Sequence, residues 1–388
     1  MFRRLVLWLF AAIGGVLTGT ASYVFLRLLG WATDTRLRHT AIIWWMPLVG
    51  ALVAGAYHHF GGRAKGGTPA VLEQAHTYTH GVPLRMTPLI LGGSVAGHLT
   101  GGAVGREGVA LQMAGSLTDT AARVGRLDHH DRRLLVAASM AAGWGAVFAA
   151  PFTGVMFALQ VCKHQRRRVL VPAIIAGFTG KATVDALNYP ETIRPHLGPS
   201  TWTIGLPWKL AVLGVGLGLL ARLFVKVLKF LRRHVAHRLH YPPIRAAVGG
   251  FVLIGLAALI GRQYMGTSSP LLANALRPDG TRVTLAVPLL KLLYTAISLS
   301  SGFVGGEVLP LFIAGATFGA AIAPSMGAER QLFASMGSTM TFASAASVMF
   351  TGIVLTVEQY GWYALAPALI VAVFARLAAG RPGLYATH

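Results

Sequence analysis

Apolar residues along this chain fall into two kinds of run. Four are long: Leu5 to Leu29, Ala41 to Tyr57, Leu210 to Val225 and Ala246 to Ile260. A bilayer core about 30 Å thick takes roughly 20 helical residues to cross, so each of these spans it or nearly does. The first run lies behind Arg3 and Arg4 as a signal peptide would, but it is long and more apolar segments follow, so it is read as a retained helix. The other runs are shorter and broken by glycine and proline: Pro88 to Thr100, Val109 to Leu117, Leu134 to Ala150, Phe152 to Val161 and Val169 to Leu187. These predict half-helices. Lipid cannot pair the backbone groups that a broken helix exposes, so protein or a watery cavity must do so. In transporters, substrates bind at such breaks.

Composition sharpens that picture. Hydrophobic residues make up 54% of the 388 residues and charged ones 12%, whereas a soluble domain carries about 25% charged residues. A water-facing surface could hardly be built from this chain; its expected surroundings are a lipid bilayer. Lys and Arg number 34 against 12 Asp and Glu, a formal net charge of +22. The basic residues lie between apolar runs rather than along one polar face, which points to cytoplasmic loops and away from a nucleic-acid partner. The candidate cytoplasmic segments are Arg3 with Arg4, Lys163 with Arg166, Arg167 and Arg168, and the stretch from Arg222 to Arg245. A single cysteine, Cys162, excludes a disulfide framework and any multi-cysteine metal site.

Counting reveals an internal repeat. Gly102-Ala-Val-Gly-Arg-Glu-Gly-Val-Ala-Leu-Gln-Met-Ala-Gly115 aligns with Gly302-Phe-Val-Gly-Gly-Glu-Val-Leu-Pro-Leu-Phe-Ile-Ala-Gly315 at an offset of 200, pairing Glu107 with Glu307. Downstream, Phe152-Thr-Gly-Val-Met-Phe-Ala-Leu-Gln160 aligns with Phe350-Thr-Gly-Ile-Val-Leu-Thr-Val-Glu358. Cations follow the first copy at residues 163 to 168, but none follows the second before Arg376, so the halves face opposite ways. The predicted fold is an all-α integral membrane protein of two inverted-topology repeats built from broken and tilted helices. The first repeat is expected over residues 1–190 and the second over 207–388, with a proline-rich connection at 191–206.

Most acids, among them Asp119, Asp128, Asp131 and Asp279, are expected at membrane edges or in loops. Glu107 is different, because it opens an apolar half-helix among glycines, where ionisation needs a cavity, a cation or backbone donors. A helix N-terminus offers unpaired N–H groups and the positive end of a dipole. A carboxylate and a dissolved anion would compete there, and protonating Glu107 would release the donors to the anion. The plain alternative is that Glu107 caps its helix with Arg106 as partner. Glu73, His76 and His80 have the spacing of one helical face but are read as a polar face, since no further ligand is evident; no metal site and no cofactor are expected. His98 is read as a hydrogen-bonded interior histidine. The glycine cluster lacks the G-K-[ST] ending of a phosphate loop, and no nucleophile and base pair marks an enzyme.

At this point the residues resemble the CLC family of anion channels and anion/proton antiporters. Gly105-Arg-Glu-Gly108 is similar to its G-[KR]-E-G signature. Lys65-Gly-Gly-Thr-Pro-Ala-Val-Leu-Glu73, Phe148-Ala-Ala-Pro151, Gly302-Phe-Val-Gly-Gly-Glu-Val-Leu-Pro310 and Arg381-Pro-Gly-Leu-Tyr385 follow in the family's order. The resemblance implies that Glu107 is the gating glutamate that carries the proton and that Tyr385 closes the inner side. Backbone N–H groups of the half-helix starts near Gly67, Gly108 and Val308 would hold the anion. The implied anion-site residues are Gly66, Gly67, Thr68, Gly105, Arg106, Gly108, Val109, Val308, Leu309 and Tyr385, with Glu307 as a second acid. Departures from the chloride pattern resemble the bacterial fluoride/proton antiporter branch. The first loop reads Gly66-Gly-Thr-Pro-Ala70, Val109 replaces a proline, the family's inner proton glutamate falls at Gln160 or Val161, and the third loop carries Glu307. Leu309 stands where that branch has threonine. The implied activity is fluoride export in exchange for protons by a homodimer in the bacterial inner membrane, with chloride/proton antiport or a passive halide channel as the alternatives.

Overall fold

The computed structural model describes residues 2–162, 165–190, 195–199, 203–380 and 383–384. They form sixteen α-helices in two sets of eight. The first set comprises α1 (Phe2–Arg38), α2 (Met46–Phe60), α3 (Gly67–His76), α4 (Met86–Thr100), α5 (Glu107–Val124), α6 (His129–Phe148), α7 (Pro151–Val161) and α8 (Arg166–Ala186). The second comprises α9 (Leu206–Arg238), α10 (Pro242–Leu259), α11 (Ser269–Leu276), α12 (Ala286–Ser301), α13 (Val308–Ile322), α14 (Arg330–Ala346), α15 (Met349–Tyr360) and α16 (Leu365–Ala379).

Six helical stretches are long and apolar enough to cross a membrane, and they include α1, α2, α8, α9, α10 and α16. These are the first, second and eighth members of each set. Arginines open α8, whereas Arg376 stands in the last turn of its equivalent, α16. If cations mark the cytoplasmic side, α8 leaves it while α16 returns to it, so equivalent helices run in opposite directions. The inverted repeat is therefore real. At roughly 1.5 Å per residue the 37 residues of α1 exceed the bilayer core, so this helix crosses tilted.

Two of the expected half-helices are longer than that. Val169 to Leu187 belongs to α8, a continuous span of 21 residues with Pro172 inside it. A proline removes one backbone donor, but packing against α1 and α6 keeps the helix whole. Leu134 to Ala150 belongs to α6, whose first turn is set by Asp128 accepting from the Asp131 N–H at 2.8 Å. Protein surrounds α6 and α14 almost completely, so neither has to match a lipid thickness. Small residues let these inner helices approach: Gly315 of α13 and Gly337 of α14 touch backbone to backbone, leaving no room for a Cβ.

Where the sets meet, α7 and α15 cap one another. Glu358, at the end of α15, accepts from the N–H groups of Phe152 and Thr153 at 3.0 and 2.8 Å and from the Thr153 hydroxyl at 2.6 Å. Gln160, at the end of α7, accepts from the Thr351 N–H at 2.8 Å and from the Thr351 hydroxyl. Each helix start thus finds its missing acceptor on the other repeat.

Asp119 does not lie in a loop. It is fully buried on α5, where it meets Arg132 at 3.0 Å, Arg123 at 3.3 Å, the Tyr78 hydroxyl at 2.8 Å and the Val82 N–H at 2.8 Å. Carboxylate oxygens that satisfy four donors can be buried; a loop position is not needed. Asp119→Asn is expected to destabilise the fold by about 3 kcal/mol, because it strands buried donors, and a thermal-aggregation series in detergent will show a lowered midpoint. An unchanged midpoint would remove Asp119 from the fold's supports.

Candidate anion and proton site

Two backbone breaks meet at the centre. Each follows a helix that ends on a left-handed glycine, Gly101 after α4 (φ 107°) and Gly302 after α12 (φ 104°), a conformation costly for other residues. The chain then turns back, and the two returning strands pair through one antiparallel bridge, Gly105 N–H to Gly306 O at 2.5 Å and Gly306 N–H to Gly105 O at 2.8 Å. From there α5 and α13 start into opposite halves of the molecule.

This geometry corrects the alignment of the repeat by one residue. Gly101 matches Gly302, Gly105 matches Gly306, and Glu107, the first residue of α5, matches Val308, the first of α13. Glu307 occupies the position of Arg106, the residue before each helix. The shared Gly-Glu pairs had pulled the sequence alignment out of the backbone's register.

Glu107 is 2% exposed. Its Oε2 accepts from the Leu309 N–H at 3.0 Å, in the first turn of α13. Its Oε1 lies 3.8 Å from Arg106 Nε, and neither of these two atoms has a hydrogen-bond partner. The carboxylate therefore caps the helix of the opposite repeat rather than simply its own. Charge-assisted bonds of this kind are strong where water is excluded.

Two cavities reach residues beside Glu107, one at Arg106 and the other at Gly305 and Glu307, and Glu107 itself lines neither. One, of about 400 Å³, is lined by Arg106, Phe148, Lys181, Asp185, His196 and Glu358 among others. The second, of about 380 Å³, is lined by Lys65, Gly66, Gly67, Thr68, Gln112, Gly305, Glu307, Arg232 and Arg245 among others. The two share no wall residue. Arg232 and Arg245 belong to the cationic segment assigned to the cytoplasm, so the second cavity is the inner one. Gly67 has φ 58°, which turns the chain into α3 with its first residues facing this cavity.

The structure thus brings Gly105, Arg106, Glu107, Gly108, Val308 and Leu309 together, with Gly66, Gly67, Thr68 and Glu307 on the inner side. Val109 buries its side chain among Phe25, Leu29, Ile90 and Met113, so only its backbone faces the break. Tyr385 lies outside the described residues, as does Lys163; Leu384, next to Tyr385, lines the inner cavity and donates its N–H to Ala345 O at 3.2 Å. Sequence reading missed Gln112, whose Nε2 donates to Thr68 Oγ1 at 3.3 Å and whose buried Oε1 has no partner. Its only signal was a polar residue in the otherwise apolar stretch after Glu107. Gln160 is engaged in capping α15. His98 is buried, with Nδ1 2.7 Å from Ser94 O and Nε2 3.0 Å from Val104 O, and so braces the loop before Gly105. Glu73, His76 and His80 do not share a helical face, because α3 stops at His76 and Thr77 is extended.

The bridge leaves no slack. A Cβ on Gly306 would stand 2.6 Å from the Gly108 nitrogen, so Gly306→Ala must displace the start of α5. Transport by this variant is expected to fall on the order of 10- to 100-fold while size-exclusion elution stays that of the wild type, since sub-ångström misplacement is costly at reacting groups. Wild-type flux from Gly306→Ala would show that the bridge does not set the site.

Comparison with known proteins agrees with this geometry. The family described as voltage-gated chloride channels matches residues 49–380. A chloride/fluoride channel protein of Pseudomonas syringae pv. tomato is 33% identical over 97% of this chain and 85% of its own length. The H(+)/Cl(-) exchange transporter ClcA of Vibrio parahaemolyticus is 27% identical over 96% of this chain and 87% of its own length. Among solved structures, a CLC-type fluoride/proton antiporter superposes with a TM-score of 0.95 at 29% identity, covering 99% of this chain and 98% of that one. The chain, a helical integral membrane protein of two inverted halves meeting at paired half-helix starts, belongs to the CLC family of voltage-gated chloride channels.

Proposed function

We propose that this protein exports fluoride in exchange for protons, with Glu107 as the group that carries the proton and yields its place to the anion. One observation carries the reading: the Glu107 carboxylate occupies a backbone donor of the opposite half-helix, Leu309 N–H, at 3.0 Å. Ionised, it acts as a tethered anion on that site. Protonated, it gives up most of its pull on the N–H group, and a free anion from the inner cavity takes the donor instead. Anion and proton then alternate at one place, which is antiport.

Burial of Glu107 near two cavities with no shared wall favours exchange over a continuous pore. Fluoride as the anion is supported by the 0.95 TM-score to a fluoride/proton antiporter and by the relative named for chloride and fluoride. Glu307 in the inner cavity would serve as a second acid beside the anion path. The bacterial relatives and the cationic segments support an inner-membrane location, and large apolar side chains exposed on α7, α8, α15 and α16, such as Phe152, Phe178, Phe350 and Leu377, are available for a homodimer contact.

Liposomes loaded with fluoride, and in parallel with chloride, test the proposal with an anion electrode beside a pH electrode. The wild type is expected to release fluoride faster than chloride and to take up protons as it does so. Glu107→Gln should abolish the proton movement, since its amide cannot carry a proton at neutral pH. Proton pumping by the Gln variant would sink the assignment, and fluoride release with no proton movement in the wild type would identify a channel.

A further inference from the structure

We propose that the cleft between the first turns of α1, α6 and α8 is a headgroup site for an anionic phospholipid of the inner leaflet. This inference does not depend on the transport reading. The sequence opens α1 with Arg3 and Arg4 and opens α8 with Arg166, Arg167 and Arg168. Folding draws these helix starts around one cavity of about 610 Å³, whose rim carries Arg3, Arg4, Arg167, Arg168, His130 and Asp131.

The charges in this rim do not cancel. Arg3 is fully engaged, 2.6 Å from Asp128 and 2.9 Å from Asp131. His130 Nε2 lies 3.1 Å from Arg168 Nη1. Among the described residues no acid pairs with Arg4, Arg167 or Arg168. Four guanidinium groups therefore meet two carboxylates, Asp128 and Asp131, and the rim keeps a net positive charge. Unpaired surface arginines are ordinary in solution, so the charge alone would mean little.

What selects a lipid is the apolar part of the same lining. The floor of the cleft is apolar, formed by Leu7, Val171 and Pro172, and Trp8 stands in its wall. Val171, which lines the cleft, is 39% exposed. Cations and apolar side chains thus share one cleft, and α1 packs against α8 beside it. A free phosphate would use the first feature only; a phosphodiester with acyl chains uses both. Tryptophan belongs at the headgroup level, and basic pockets between helices on the cytoplasmic side suit anionic headgroups.

Native mass spectrometry of the full chain in detergent, supplied with phosphatidylglycerol or phosphatidylethanolamine of matched acyl chains, reads this site directly. Wild type should retain phosphatidylglycerol in preference. Arg4→Gln, Arg167→Gln and Arg168→Gln should each weaken that retention roughly fivefold, while the corresponding lysine variants keep most of it. Size-exclusion elution and anion flux in neutral liposomes serve as folding controls; should one of these variants not fold, the other two carry the test. Millimolar inorganic phosphate should not displace the lipid. Equal retention of the two lipids, retention unchanged by the glutamine variants, or displacement by inorganic phosphate would each overturn the proposal.

Discussion

One hydrogen bond organises the molecule: the carboxylate of Glu107 takes the N–H of Leu309 across the junction of the two repeats. A helix start buried in a membrane protein must have its donors satisfied, because lipid offers no acceptor. Here the acceptor is a side chain that can lose its charge. In the proposed exchange this bond must also break, and its surroundings add no second hydrogen bond to the carboxylate. Arg106 stands 3.8 Å away and attracts the carboxylate without fastening it by a hydrogen bond. The long spans, the glycine turns and the single bridge between Gly105 and Gly306 serve to hold this donor and this acceptor at one depth.

The inverted repeat supplies that geometry twice and then uses the copies differently. At the central break, Arg106 and Glu307 hold matching positions, a base in one repeat and an acid in the other, and each lines a different cavity. At the α7–α15 crossing, Glu358 and Gln160 hold matching positions, and each caps the partner helix. Backbone symmetry is kept by helix-terminus hydrogen bonding; side-chain symmetry is free to lapse where the two aqueous faces have different work. The inner cavity, with Lys65, Arg232 and Arg245 against Glu307, carries the stronger cationic character.

Much of this was legible in one dimension. Span length, glycine breaks and the placement of arginines follow from hydropathy and charge alone, and they located the four long helices, the inverted halves and Glu107. Three particulars were not legible. Identity scoring put Glu307 opposite Glu107, because glycine turns and bridge bonds leave no mark in an alignment of one motif. The burial of Asp119 gave no sign, since its four donors come from α5, α6 and the loop before α4. Gln112 had no motif to announce it.

The sequence by itself determined that the chain lives in lipid, which way its halves face and which acid is out of place there. These are properties of runs and local charge, and local physics sets them. Only the tertiary structure decided which N–H group the acid meets. Donor and acceptor lie 202 residues apart, and helix packing alone brings them within a hydrogen bond.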